Sequence, residues 1–160
     1  MDKLWYRECT TGRRFIIKLE PGAKLTATLL AFAKAEQIRF TSLVSAVGSI
    51  RNVEFSGIQA GAHLPMTGPR IKTHHLEGPL ELMGLEGNIA PNADGDLDAQ
   101  LYIIASKSSG EVVGGHLQDA EVFATCEIVL AEYLVDGVAR RHSATRGVDT
   151  LFIQEEGAGK

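Results

Sequence analysis

Cysteine is scarce in this chain of 160 residues: Cys9 and Cys126 stand far apart, without the short spacing of metal ligands. Two reduced thiols in a cytoplasmic protein are the expectation. Long apolar runs are missing too. No stretch approaches the ~18 residues of a membrane span, and the opening M-D-K-L-W-Y-R-E-C lacks a signal core, so no membrane partner is expected. Positive charge does not dominate, since 16 Lys and Arg against 20 Asp and Glu give a net charge of −4, which disfavours unaided binding to phosphate backbones. No P-loop, dinucleotide fingerprint, nucleophile elbow or zinc-protease helix is present, so no catalytic residue is assigned and the reading leans away from an enzyme. Internal repeats and low-complexity segments are absent as well.

What is present fits one globular domain, with 44% apolar and 22% charged residues in a length that buries one core. Arg13 to Leu19 has strand character and stops at Glu20-Pro21-Gly22. Leu25, Leu29, Phe32 and Ala33 then recur at helical spacing, which predicts a helix over Leu25 to Gln37. Ile38 to Gly48 and Ile50 to Phe55 read as strands separated by a bend, and Ser56 to Lys72 as a long surface loop. Strands around a Gly78-Pro79 break follow, then the turn Pro91 to Asp96 and a strand over Asp98 to Ser106 that opens a hairpin. A last strand is expected at Thr150 to Gln154. These elements give an α+β domain: a mostly antiparallel β-sheet with one main helix packed on it.

Ser109 to Tyr133 is the stretch on which the rest depends. Gly114 and Gly115 can take backbone angles closed to other residues and allow a second chain or a ligand to approach His116. In the long strand after it, Ala124, Cys126, Ile128 and Leu130 share one face, and Thr125, Glu127, Val129 and Ala131 the other. Glu127, like Glu81 among leucines, needs either solvent or a partner. Arg141 and Lys18 are the expected partners, across a subunit boundary if not within the chain.

Several blocks in fixed order now matter together: I-I-K-L-E-P-G-A-K-L at Ile16 to Leu25, S-A-V-G-S-I at Ser45 to Ile50, E-G-P-L-E-L-M-G-L-E-G at Glu77 to Gly87, and S-G-E-V-V-G-G-H-L at Ser109 to Leu117 with C-E-I-V-L behind it. In these the chain resembles the PPC domain, conserved in plants and prokaryotes, in its stand-alone prokaryotic form related to the domain of plant AT-hook nuclear proteins. On that resemblance, residues 1–12 are an N-terminal extension, 13–154 the PPC-like domain and 155–160 a flexible tail. The resemblance implies a homotrimer with a DNA-binding or transcription-associated role. The AT-hook core Arg-Gly-Arg-Pro is absent, and T-G-R-R at Thr11 to Arg14 and G-P-R-I-K at Gly68 to Lys72 have the wrong order.

Some prokaryotic relatives are similar to metal proteins, with a His-x-His pair converging on the histidine of the Gly-Gly-His element. The matching positions here are Gln100 and Tyr102. His116 is left as a lone zinc candidate, and zinc needs three or four ligands, so no metal and no cofactor is expected. His74 and His75 are adjacent and point to opposite faces of a strand.

Three functions follow. The leading one is a non-enzymatic oligomeric PPC-type protein with a regulatory or binding role. The alternative is a small-ligand- or metal-binding protein, enzyme included, with a cleft around His116, Gln100 and Tyr102. The third is direct DNA or anion contact by Arg140, Arg141 and Arg146.

Overall fold

A computed structural model describes residues 4–153. Its elements in chain order are β1 (Thr10–Leu19), α1 (Leu25–Ala35), β2 (Thr41–Ile58), β3 (Ile71–Leu76), β4 (Leu80–Pro91), β5 (Leu97–Ser106), β6 (Val112–Leu134), β7 (Val138–Ser143) and β8 (Val148–Ile153). The sheet pairings are antiparallel, in the order β1-β6-β5-β4-β2-β3, and β7 and β8 form a separate hairpin. Because the long strand β6 also pairs with β2, the strands β2, β4, β5 and β6 close into a ring of pairings. His116 and Leu117 of β6 pair with β5 on one edge and with β2 on the other, which closes the ring.

The inward rows of this ring make the core. Ile50, Leu85, Ile89, Leu101, Ile103, Ile128 and Leu130 are buried there, and α1 adds Leu25, Leu29 and Ala33 to the same cluster. Alternation accounts for the strands and the i, i+4, i+8 stripe for the helix. The first turn of α1 is held from outside: Lys24, at the N-cap, makes no side-chain cap bond, and the Thr26 N–H donates to Asp119 Oδ1 of β6 at 2.9 Å.

The expected boundaries shift in four places. The helix ends at Ala35, two residues short of Gln37, which takes φ 57°. The two strands expected at Ile38 to Gly48 and Ile50 to Phe55 are one, β2, with a register shift between Gly48 and Ile50 instead of a turn. At Gly48 a Cβ would overlap the Thr125 carbonyl oxygen, so glycine lets β2 ride closely over β6. The loop expected from Ser56 to Lys72 shrinks because β2 runs to Ile58 and β3 starts at Ile71. The N-terminal extension expected over 1–12 already joins the sheet at Thr10, paired with Leu134. The tail 155–160 lies outside the described residues. Among the described residues no helix is long and apolar enough to cross a membrane.

Candidate functional site

The β5–β6 hairpin sets Tyr102 directly across from His116, with ring centroids 5.3 Å apart and planes tilted by 49°. Leu101 and Leu117, one position along, point into the core, so the Tyr102–His116 pair stands on the outer face of the ring. Gln100 lies on that same face, two residues before Tyr102 and across from Asn88 of β4.

Gly114 and Gly115 were expected to leave room for something outside the protomer. On the side where a Cβ would stand the room is taken by the protomer itself, while Gly115 also borders the open cleft next to His116. A Cβ on Gly115 would overlap the Ser56 carbonyl oxygen and stand 2.9 Å from Phe55 Cδ2, and one on Gly114 would overlap the Ile103 carbonyl oxygen. Both glycines exist so that β2 and β5 can close on β6, and their effect on the site is to fix where His116 stands.

The β7–β8 hairpin covers this part of the outer face through Arg140. Only 3% of Arg140 is exposed. Its Nη1 donates to Gln100 Oε1, its Nη2 to Asn88 Oδ1 at 2.7 Å, and its Nε lies 2.7 Å from Asp98 Oδ2. That last contact is an ion pair without hydrogen-bond alignment, since Nε finds no geometrically sound acceptor. Burial lowers the pKa of the guanidinium, and the nearby carboxylates of Asp98 and Asp149 oppose that shift. At the hairpin's far end the Met66 N–H donates to the Arg146 carbonyl at 2.7 Å, tying the segment before β3 to the same hairpin.

These walls enclose a cleft of about 680 Å³. Its floor is Tyr102 and His116, one wall is Ile58 and Ile71, and the other is Arg140 and Val148. His142 and Asp149 pair at its rim, Nδ1 to Oδ1 at 2.9 Å. Burial pushes the His116 pKa down, with Asp98 raising and Arg140 lowering it, so the imidazole is neutral at neutral pH. His116 Nδ1 is 3.4 Å from Gln118 Nε2, and its Nε2 is buried without a hydrogen-bond partner.

The basic cluster expected at Arg140, Arg141 and Arg146 is divided. Arg140 is buried and committed, Arg141 is exposed across from Thr150, and Arg146 donates to Ser143 Oγ at 3.3 Å. Adjacent positions on a strand face opposite ways, which separates Arg140 from Arg141. Arg141 makes no ion pair with Glu81 or Glu127 among the described residues; both carboxylates are exposed. Lys18 sits across from Glu127 in register but pairs with Glu20 at 3.1 Å. His74 stacks on Phe55, with centroids 5.2 Å apart, and does not join His116. No three His, Cys, Asp or Glu side chains among the described residues come together as a metal site. With an amide and a phenol at positions 100 and 102, the donor set does not fit zinc.

Sequence reasoning missed Asp98, Asn88 and the role of Arg140. Their only signal is that Asn88, Gln100 and Tyr102 alternate with apolar residues, which marks an outer face and leaves open what lies on it.

Comparison with known proteins places this geometry in a family. The chain superposes on a plant- and prokaryote-conserved protein of Pyrococcus horikoshii with a TM-score of 0.76 and 25% identity, over 96% of this chain and 98% of that one. A metal-containing protein of Archaeoglobus fulgidus gives 0.81 at 24% identity, over 93% and 99%. A putative DNA-binding protein of Bacteroides thetaiotaomicron gives 0.75 at 17%, over 91% and 97%, and these last two likenesses speak to the fold alone. In sequence, the bifunctional protein GlmU of Synechococcus is 28% identical over 144 residues, which are 89% of this chain and 21% of that protein. The chain thus spans about a fifth of that relative's length. The model of the Plants and Prokaryotes Conserved (PCC) domain matches residues 6–134, from just before β1 to the end of β6, and with the whole ring of strands inside that match the chain belongs to this family.

Proposed function

We infer that the chain is a non-enzymatic, self-assembling protein with a binding or regulatory role of the transcription-associated kind, and that it works as a homotrimer. The observation that carries this reading is the outer sheet face beyond the cleft. Ile16 is 90% exposed there, and Val47, Met83, Ile104 and Val112 are each at least half exposed. An apolar face of this breadth on a soluble domain marks an interaction surface. Glu127 stands in it between Lys18 on β1 and Val47 on β2 without an ion-pair partner in its own protomer among the described residues, as expected if a second copy supplies one. Sedimentation at micromolar concentration gives a species of three protomers, and Ile16→Glu with Val47→Glu yields folded protomers in isolation. A monomeric parent protein overturns the reading.

Contact with DNA, where it occurs, passes through partner proteins or the exposed Arg141. A steep salt dependence of DNA affinity that is lost in Arg141→Ala assigns it to the chain itself. The absence of affinity at low salt leaves partner proteins alone.

The cleft favours a second reading, that the chain binds a small ligand. A volume of about 680 Å³ is within the range of small-molecule sites. A ligand held there raises the melting temperature, the stabilisation growing as RT ln(1 + L/Kd), where L is the free ligand concentration.

A further inference from the structure

We propose that the cleft above Tyr102 and His116 takes a small organic cation, an ammonium or amidinium group on a flat apolar body. This rests on the second reading above, that the cleft is a ligand site, and adds the sign of the ligand's charge.

The argument begins with which charged groups are still free. Arg140 is the cation in the lining, and its three nitrogens already face Gln100, Asn88 and Asp98. Two carboxylates share the cleft with it. Asp98 is 44% exposed and meets Arg140 through Oδ2 alone, while Asp149 is 62% exposed and meets His142 through Oδ1. Among the Asp, Glu, Lys and Arg side chains of the lining, two carboxylates stand against one guanidinium, a formal excess of −1. An entering anion meets that excess and finds no uncommitted cation, whereas an entering cation is attracted by it.

The floor agrees with the charge. The Tyr102 ring is half exposed, and its tilt against His116 leaves it available to a cation, which aromatic faces attract. Desolvation keeps His116 uncharged, so it adds no repulsion. Ile58, Ile71 and Met66 supply apolar walls for the body of the ligand.

Three matched probes test the proposal: benzamidine, benzamide and benzoate, which share a flat ring and differ in charge. Calorimetric titration at neutral pH is expected to show binding of benzamidine only, with shifts in the Tyr102 and His116 resonances. Asp149→Asn weakens that binding about fivefold, and Tyr102→Leu weakens it about threefold. Asp94→Asn, in the turn between β4 and β5 and outside the cleft lining, leaves it unchanged. If benzamide or benzoate binds as tightly as benzamidine, the charge preference falls while the cleft remains a ligand site. If none of the three binds, the cleft reading falls with it. Binding that ignores both Asp149→Asn and Tyr102→Leu, or that Asp94→Asn weakens equally, is attraction to the acidic chain at large and overturns the proposal.

Discussion

Two stretches of β6 present side chains to the same outer face of the sheet and meet opposite surroundings. Around Glu127 the face is bare, bordered by Lys18 and Val47. Around His116 it is roofed by the β7–β8 hairpin, held down by Arg140, and a cleft forms between roof and floor. Each stretch alternates, and the phase is reset between Leu117 and Ala120, both buried, where register shifts interrupt the β2–β6 ladder. The difference teaches that alternation decides which way a side chain points, and that its chemical setting is decided by whatever segment packs over it.

Three measurements break or sharpen this contrast. The largest effect is expected at the roofed stretch: Gly115→Val forces a side chain into the Ser56 carbonyl and the Phe55 ring and is expected to destabilise by about 3 kcal/mol in denaturant unfolding. On the bare stretch Glu127→Gln should change protomer stability by no more than about 0.5 kcal/mol. Equal effects would erase the distinction.

Next comes the clamp. Arg140→Met leaves Asn88 and Gln100 without their donor and is expected to destabilise by about 2 kcal/mol, less than a fully buried pair because Asp98 is partly exposed. Amide exchange should speed up in β7 and β8 and stay unchanged in the β1–β6 ladder. A uniform rise would mean that the hairpin is not held by this residue.

The smallest effect is in pH. The folded His116 pKa lies below that of the unfolded chain, near ~6.5, because burial penalises the charged ring. As pH falls through ~6.5 the unfolded chain takes up a proton that folded His116 resists, so stability is full above that value and declines toward the folded pKa. His116→Gln should flatten this part of the profile. An unchanged slope would place the imidazole in water.

Much of this was legible in the chain. The stripe Leu25, Leu29, Ala33 gave the helix, the alternation through Cys126, Ile128 and Leu130 gave a strand with one buried face, and the ordered blocks from Ile16 to Leu130 pointed to the family. Gln100, Tyr102 and His116, grouped through the family resemblance, stand on one outer face and line one cleft, with Tyr102 directly across from His116. Gly114 and Gly115 mark the close approach of β5 and β2, and Gly115 also borders the cleft; a glycine reports that something comes close without saying what.

Local periodicity and turn chemistry therefore determined the elements, their inward faces and the sheet class, because each depends on residues a few positions apart. Only the tertiary structure decided that Arg140 is buried while Arg141 faces solvent, that Asp98 and Asn88 belong to the site, and that a cleft opens over His116. Those outcomes depend on segments some 40 to 50 residues apart in the chain, Arg140 to Gln100 and to Asn88, coming together, and neighbouring residues carry no record of that meeting.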